Sequence, residues 1–152
     1  AMSVLDKGRL HISAVATGMS ERLIKEMVTY ASERVQGGKP IIEHQLIQAL
    51  LADSQAETYA AKCMIMDAAK KRDAGENVTI LASSAKLFAT EANGRVADRA
   101  VQVFGGAGYI SDYGIERFYR DARIFRLYEG TSQIQQIIIA RELKKMGAAD
   151  LL

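Results

Sequence analysis

The sequence predicts an all-α protein, an up-down-up-down four-helix bundle with a short extra helix. Apolar residues recur at three- and four-residue steps along four long segments, which is the period of an amphipathic helix. Short turn-forming stretches separate these segments, so consecutive helices are expected to be antiparallel neighbours. The single proline leaves little to break long helices, and no segment alternates convincingly as a strand.

The first two helices are each predicted from one apolar face. The first helix is expected to end at Gly37 and Gly38, and its face contains Ile12, Val15, Met19, Leu23, Met27 and Tyr30. Pro40 suits the first turn of the second helix, where a backbone N–H is not needed. The second helix should end at Ala74 and Gly75, and its face contains Ile47, Leu50, Leu51, Ala61, Ile65 and Ala68.

The later helices follow from the same signals. The third should begin near Asn77 or Thr79 and stop at residues 105–108, and its buried side contains Leu81, Ala85, Phe88, Ala92, Val96 and Val103. A short helix is expected near residues 115–123. The last helix should run over about residues 131–145, with Lys144 and Lys145 placed favourably for its dipole and with an apolar side that contains Ile134, Ile137 and Ile138.

The composition indicates one domain and argues against several classes of function. A chain of 152 residues can bury roughly two thirds of its unfolded surface. Its 20 basic residues nearly balance its 18 acidic residues, so no strong field favours nucleic acid or a membrane surface. His11 and His44 do not supply the Glu-x-x-His pairs of a di-metal bundle, so no metal site is predicted.

Cysteine content and hydropathy predict the compartment. Cys63 is the only cysteine, which rules out an intrachain disulfide and favours a reducing environment. We expect Cys63 to be a small core residue. No apolar run is long enough to span a bilayer, and the N-terminus has no charged-then-apolar signal pattern. The chain is therefore expected to be soluble and intracellular.

One carboxylate, Glu129, is the best candidate for chemistry. It follows Leu127 and Tyr128 and precedes Gly130. These neighbours are expected to desolvate the carboxyl group partly, which disfavours its charged form and suits a general base. The alternative is an acid in the first turn of a helix, where the dipole favours negative charge, and spacing alone favours this alternative.

A helix start follows Glu129 directly. Thr131 or Ser132 is a good N-cap, and Ser132 with Gln135 has the spacing of a capping box. The free N–H groups of such a start could hold an anion or the polar edge of a cofactor.

Several separate motifs extend over nearly the whole chain in a recognisable order. They are Leu5-Asp6-Lys7-Gly8-Arg9, Glu33-Arg34, Gly38-Lys39-Pro40-Ile41-Ile42-Glu43-His44-Gln45, Val101-Gln102-Val103-Phe104-Gly105-Gly106-Ala107-Gly108-Tyr109, Tyr119-Arg120-Asp121-Ala122-Arg123, Tyr128-Glu129-Gly130-Thr131-Ser132-Gln133-Ile134-Gln135 and Ala140-Arg141-Glu142. Their order and spacing resemble the C-terminal helical domain of acyl-CoA dehydrogenases. The resemblance implies that residues 1–152 form this domain alone, without the N-terminal helical domain and the middle β-domain of the complete enzymes.

The resemblance implies α,β-dehydrogenation of an acyl-CoA thioester, in which a carboxylate removes the α-proton while the flavin receives the β-hydride. Glu129 would be that base. Some relatives carry the base on the first helix, at a position that matches Gly8, and glycine cannot act as a base. The resemblance further implies FAD as cofactor, a homo-oligomer of two or four subunits, and electron-transfer flavoprotein as a partner. It implies a cytoplasmic location, or the mitochondrial matrix in a eukaryote.

The resemblance also assigns binding residues. The positions that match the acyl-CoA side of the family site are Asp6, Arg9, Gly130 and Arg141. Asp6, Arg9 and Arg141 have the alternative role of surface ion-pair members. Thr131 and Gln133 match flavin contacts at the start of the last helix, and the residues that match contacts to the FAD of a neighbouring subunit are Arg34, Gln45, Gln102, Gly105 and Gly106. Arginine suits a pyrophosphate because its planar fork pairs with two oxygens, and glycine permits close approach of the backbone.

Two departures from the family pattern leave other functions open. Where the family usually has Arg-x-x-Phe-Gly, this chain has Arg34-Val35-Gln36-Gly37-Gly38, and the lost aromatic contact could weaken FAD binding by on the order of 1 to 3 kcal/mol. The second departure is that the chain is short compared with the complete enzymes. Without the other domains, the chain alone is expected to bind FAD poorly or not at all. The alternatives are a non-catalytic helical oligomerisation or interaction module, an acyl-CoA oxidase, or a decarboxylating relative.

Overall fold

The computed structural model describes residues 2–150, with side chains from Leu5 onward. It confirms the predicted all-α fold. The long helices are α1 (Met2–Glu33), α2 (Gln45–Asp73), α3 (Thr79–Phe104) and α6 (Ser132–Met146), and the short ones are α4 (Gly106–Tyr109) and α5 (Ile115–Ile124). Two 3-10 turns, Ile41–Glu43 and Ala148–Asp150, and a two-stranded hairpin complete the described chain. None of the helices within this range is both long and apolar enough to cross a membrane.

Contacts between side chains fix the directions of the first three long helices. Asp6 near the start of α1 accepts a hydrogen bond from Thr79 at the start of α3. Tyr30 near the end of α1 stacks on Phe104 at the end of α3, so these two helices run parallel. Glu57, in the first half of α2, pairs with Arg99 near the end of α3, so α2 runs in the opposite direction. Helix α6 packs against α3.

The core is built on α3, whose buried face is mostly small. The predicted residues Ala85, Ala92, Val96 and Val103 are buried there. On α1, Leu23 and Met27 are buried as predicted, whereas Val15 is 52% exposed. The buried face of α1 instead includes three hydroxyl side chains, each bonded to the carbonyl four residues earlier: Ser13, Thr17 and Ser20. A hydroxyl satisfied in this way can be buried, which a purely apolar pattern does not reveal.

The link between α1 and α2 corrects three predictions. Helix α1 ends at Glu33, before the two glycines. Gly37 and Gly38, with φ of 63° and 79°, form the turn of a hairpin between β1 (Val35–Gln36) and β2 (Lys39–Pro40). Two positive φ angles are what a two-residue hairpin turn requires, so glycine fits both positions. Pro40 lies in β2, and α2 begins only at Gln45 after a 3-10 turn. Strands of two residues are too short to show a sequence period.

Two other boundaries agree with the sequence, and one burial prediction is wrong. Helix α2 ends at Asp73, just before the predicted stop, and α3 starts at Thr79, whose N–H is accepted by the side chain of Asn77. Cys63 is exposed rather than in the core. It follows the buried Ala61 by two positions, which on a helix is about 200° away, on the opposite face.

Candidate active site

Glu129 lies in the loop of residues 125–131 that joins α5 to α6. Its φ is 55°, which makes it the one non-glycine residue with a positive φ among residues 2–150. This left-handed conformation costs an L-residue roughly 1 kcal/mol, so the surrounding structure must hold the loop in place.

A buried lysine of α3 holds both ends of this loop. Lys86 has no exposed surface, and its Nζ donates to the carbonyl oxygens of Phe125 and Gly130, each at 2.7 Å. Burial lowers the pKa of Lys86, while the charges of Glu129 and then Glu91 act to raise it. Hydrogen bonds from a charged donor are stronger than those from a neutral donor, so Lys86 makes the strongest hydrogen bonds that hold this loop to α3.

The start of α6 supplies the second set of bonds. Gln135 is fully buried, and its Nε2 donates to the carbonyl of Gly130 at 3.1 Å and to that of Glu129 at 3.3 Å. Thr131 is the N-cap, since its hydroxyl accepts the N–H of Ile134. The predicted capping box of Ser132 and Gln135 is therefore wrong. With the cap at Thr131, Gln135 lies one position too late to reach back to the cap N–H.

A third connection joins the loop to α3 through Glu91. The hydroxyl of Ser132 donates to one oxygen of Glu91 at 2.6 Å, and Arg126 pairs with the other at 3.3 Å. The loop carbonyl of Arg126 also accepts the N–H of Ser132, which closes the loop on itself. The loop is thus bonded to α3 at both Lys86 and Glu91.

The carboxylate of Glu129 lies against α1 at Gly8. A Cβ atom built at Gly8 would lie 2.7 Å from Oε2 of Glu129, closer than non-bonded atoms allow. The missing side chain at position 8 therefore leaves the space that the carboxylate occupies. Glu129 and Gly8, the two positions that the resemblance assigns to a base, are therefore neighbours in this chain.

The exposure of Glu129 differs from the sequence prediction. Glu129 is an exposed residue, and the neighbours expected to cover it are themselves partly exposed, Leu127 at 49% and Tyr128 at 38%. The loop lies at the surface, so residues adjacent in sequence do not desolvate the carboxyl group within this chain. Burial and then the charge of Glu129 raise the pKa of the Tyr128 hydroxyl above its usual range. Within residues 2–150 the N–H of Glu129 has no acceptor in the chain.

Asp6 and Arg9 form an ion pair of 2.7 Å that is buried rather than on the surface. The second oxygen of Asp6 accepts the hydroxyl of Thr79, so this carboxylate joins α1 to α3. The Nε of Arg9 is buried without a partner among the described residues. Arg141 is exposed on α6. The substrate contacts assigned to these residues stay predictions.

The residues predicted to contact flavin fall into two groups at opposite ends of α1. Thr131 and Gln133 lie at the start of α6, just after Glu129, whose carboxylate lies against Gly8. Arg34 shares a hollow with Gly105 and Gly106 beyond the last turn of α1. The distance from position 8 to the end of α1 is about 38 Å at about 1.5 Å per residue. Gln45 lies in a neighbouring hollow beside the hairpin, and Gln102 is exposed on the last turn of α3.

Arg34, Gly105 and Gly106, which we call the distal group, could accept an anionic cofactor. Arg34 is exposed and makes no salt bridge to any described side chain. A Cβ at Gly105 or Gly106 would meet nothing within 4 Å, so the backbone there is open to close approach.

Sequence reasoning missed Lys86 and Glu91, and it assigned Gln135 to a capping box rather than to the loop carbonyls. A signal for Lys86 was present, because it is placed four residues after Ala82 and three before Ala89, on a face of small apolar residues. A lysine on such a face is seldom buried without carbonyl or carboxylate partners. Those partners lie 39 and 44 residues further along the chain, where no local pattern identifies them.

Residues 1–144 match the family described as acyl-CoA dehydrogenase, C-terminal domain. The chain belongs to the acyl-CoA dehydrogenase family. This result confirms the resemblance on which the site assignment was based.

Two relatives and one solved structure show how far the likeness extends. The chain is 44% identical to a 3-(aryl)acrylate reductase of Clostridium sporogenes over 145 residues, which are 95% of this chain and 38% of the relative. It is 43% identical to cyclohexane-1-carbonyl-CoA dehydrogenase of Geobacter metallireducens over 148 residues, 97% of this chain and 39% of the relative. The structure of butyryl-CoA dehydrogenase from Megasphaera elsdenii matches with a TM-score of 0.92 at 38% identity, over 94% of this chain and 37% of that one. The chain thus spans well under half the length of these relatives.

Proposed function

We propose that this chain is the base-bearing C-terminal domain of a longer flavin-dependent enzyme that oxidises acyl-CoA thioesters to trans-2-enoyl-CoA. The observation that carries the proposal is the Glu129 carboxylate, held in a left-handed loop conformation by Lys86 and Gln135. Conformational strain maintained by buried hydrogen bonds is typical of catalytic positions. The family match over residues 1–144 supports the reaction class.

Glu129 supplies the two functions that α-proton removal needs from this domain. Its carboxylate accepts the proton, and exposure in this chain leaves it accessible to a substrate. Its backbone N–H has no acceptor among the described residues and is available to the thioester oxygen, on which negative charge develops. The chemistry that FAD would supply when bound is acceptance of the hydride from the β-carbon. Thr131 and Gln133 at the start of α6 would contact the flavin beside Glu129.

The same site serves the reverse reaction, and this is the second candidate function. One relative that is 44% identical is a 3-(aryl)acrylate reductase, so the family fold at this similarity is used for reduction as well. In that direction a protonated Glu129 would deliver the proton to the α-carbon. The geometry of Glu129 and its N–H is equally suited to both directions, because the transition state is the same.

The proposed enzyme is a homo-oligomer. The distal group of Arg34, Gly105 and Gly106 lies about 38 Å along α1 from the proposed base, so it cannot complete the same flavin site as Glu129 within one chain. A site shared between two copies accounts for both groups. Electron-transfer flavoprotein is the proposed redox partner, and a cytoplasmic location is proposed because the relatives compared are bacterial.

The test is Glu129→Gln in the complete enzyme, with FAD and acyl-CoA bound. Glutamine keeps the shape but cannot accept the proton, so acyl-CoA-dependent bleaching of the flavin should slow by about 10²- to 10⁴-fold while acyl-CoA binding survives. Glu76→Gln changes an exposed carboxylate in the turn between α2 and α3 and should leave the rate unchanged. Bleaching by Glu129→Gln at the parental rate would show that the base lies elsewhere. A complete protein that shows no bleaching in either form would support the non-catalytic module.

A further inference from the structure

We infer that Lys86 is a positioning residue for the proposed base, because it fixes the loop conformation in which Glu129 faces the substrate. The inference rests on the proposed function of Glu129. Its physical basis is the pair of 2.7 Å bonds from the buried ammonium to carbonyls on both sides of Glu129.

Burying a lysine ammonium group costs desolvation free energy, so a lysine at this position must supply something that an apolar residue cannot. Taking an ammonium group out of water is unfavourable unless its donors are paired, and lysine is almost never fully buried without such partners. Lys86 is surrounded on its own helix by the buried residues Ala82, Ala85 and Ala89. An apolar side chain at this position would fill the core of α3 without that cost. What only a long donor can supply here is the connection to the loop.

The positions of the two carbonyls that Lys86 binds show which part of the loop it holds. Phe125 is the C-cap of α5, and Gly130 directly follows the proposed base. Fixing both carbonyl groups fixes the path of the chain between them, and with it the φ of 55° at Glu129. Without this constraint the backbone of Glu129 gains stability by leaving the left-handed region, which would move its carboxylate away from Gly8.

The charges around Lys86 come from three elements. Glu129 faces it from the loop, Glu91 from α3 itself, and Arg9 from α1. Gln135 bonds to the same Gly130 carbonyl, so the loop keeps one connection when Lys86 is replaced. Loss of Lys86 should therefore loosen the loop rather than unfold the bundle.

The first experiment compares Lys86→Met and Lys86→Arg in the complete enzyme. Methionine has a similar length and no donor, so kcat for flavin reduction should fall by about 10²-fold, the effect of a small misplacement of a catalytic group. The KM for acyl-CoA should stay near the parental value, because the substrate pocket is unchanged. Lys86→Arg keeps charge and donors and should recover part of the rate. Parental kcat in Lys86→Met would overturn the inference.

A second comparison separates positioning from a general structural role. In the Gly8→Glu/Glu129→Gly background the carboxylate is carried by the rigid helix α1 and reaches the same space. There, Lys86→Met should slow the reaction by much less than about 10²-fold, because the carboxylate no longer depends on the loop and only the backbone N–H of residue 129 still does. Equal slowing in both backgrounds would show that Lys86 supports the whole enzyme rather than the base, and would overturn the inference.

Hydrogen exchange keeps this inference distinct from the proposed function. Exchange of the hydrogen-bonded backbone amides of Leu127, Tyr128 and Ser132 should rise in Lys86→Met and stay protected in Lys86→Arg, whether or not Glu129 is the base. Unchanged exchange in Lys86→Met would overturn the inference, whereas parental activity of Glu129→Gln would overturn the proposed function alone. If Lys86→Met does not fold, Lys86→Gln, which keeps one donor group without the charge, carries the same comparisons.

Discussion

Glycine and glutamate share one small volume where α1 meets the loop of residues 125–131. Gly8 contributes no side chain, and the carboxylate of Glu129 occupies the space so left. Glycine within a helix costs about 0.5 to 1 kcal/mol relative to alanine, so this space is kept at the expense of helix stability. Gly8 therefore lowers the stability of α1 and at the same time leaves room for the carboxylate of the proposed base.

Gly8→Ala tests both effects directly. The new Cβ would lie 2.7 Å from Oε2 of Glu129, so the carboxylate must move, and flavin reduction by the complete enzyme should slow. The fold should survive, because alanine is the better helix former by up to about 1 kcal/mol.

The matched control is Gly18→Ala on the same helix. A Cβ at Gly18 meets nothing within 4 Å, so this variant should gain stability and keep the parental rate. Stopped-flow reduction and thermal unfolding of the two variants give the comparison. Equal rates in Gly8→Ala and Gly18→Ala would contradict the idea that the space at position 8 matters.

At the scale of elements, the sequence predicted those features that recur over many residues. The apolar face of α3 and the stop of α2 before Gly75 were readable because local spacing and turn chemistry determine them. The hairpin of Val35–Gln36 and Lys39–Pro40 was not, since two residues cannot show a period. The role of Lys86 was not predicted because its partners come from a loop that is distant in sequence. The exposure of Glu129 was not predicted because neighbours in sequence need not cover one another in the fold.

The contact of α2 with α3 has an electrostatic part that can be tested by pH. Burial acts to raise the pKa of Glu57, but hydrogen bonds from Arg99 and Arg95 outweigh it and lower that pKa below 4.5. A lowered pKa means that the stabilisation is present above the unfolded-state pKa and is lost as pH falls through the folded-state pKa. Glu57→Gln should thus cost about 1 kcal/mol of unfolding free energy at neutral pH.

The difference between the parent and Glu57→Gln should shrink as the pH falls below 4.5. Urea unfolding of both forms across pH 3 to 7 measures it, with Asp67→Asn as a control, because Asp67 pairs with Lys71 inside α2 and is more exposed. A difference that stayed constant over this range would mean that the charge of Glu57 does not stabilise the α2–α3 contact.

For the whole molecule, large apolar side chains are left exposed at the end that carries Arg34 and Gly105. Leu46 is 83% exposed and Tyr109 is 81% exposed. Stable interfaces between subunits bury such side chains over an area of about 1,200 Å² or more. Because this end also carries the distal group of predicted flavin contacts, a single surface could serve both assembly and a cofactor site completed by the partner.

The 152-residue chain should therefore self-associate through this end, even without bound cofactor. Replacing an apolar anchor with a charge in the buried centre of an interface is strongly unfavourable, so Tyr109→Lys and Leu46→Lys should each weaken association by at least about tenfold. Tyr59→Lys makes the same kind of change on the exposed side of α2 and should leave association unchanged. Sedimentation velocity over a range of concentrations distinguishes these outcomes. A chain that stays monomeric at high micromolar concentration, or one that Tyr59→Lys disrupts as strongly as Tyr109→Lys, would place the assembly surface elsewhere and remove the argument for a flavin site shared through the Gly105 end.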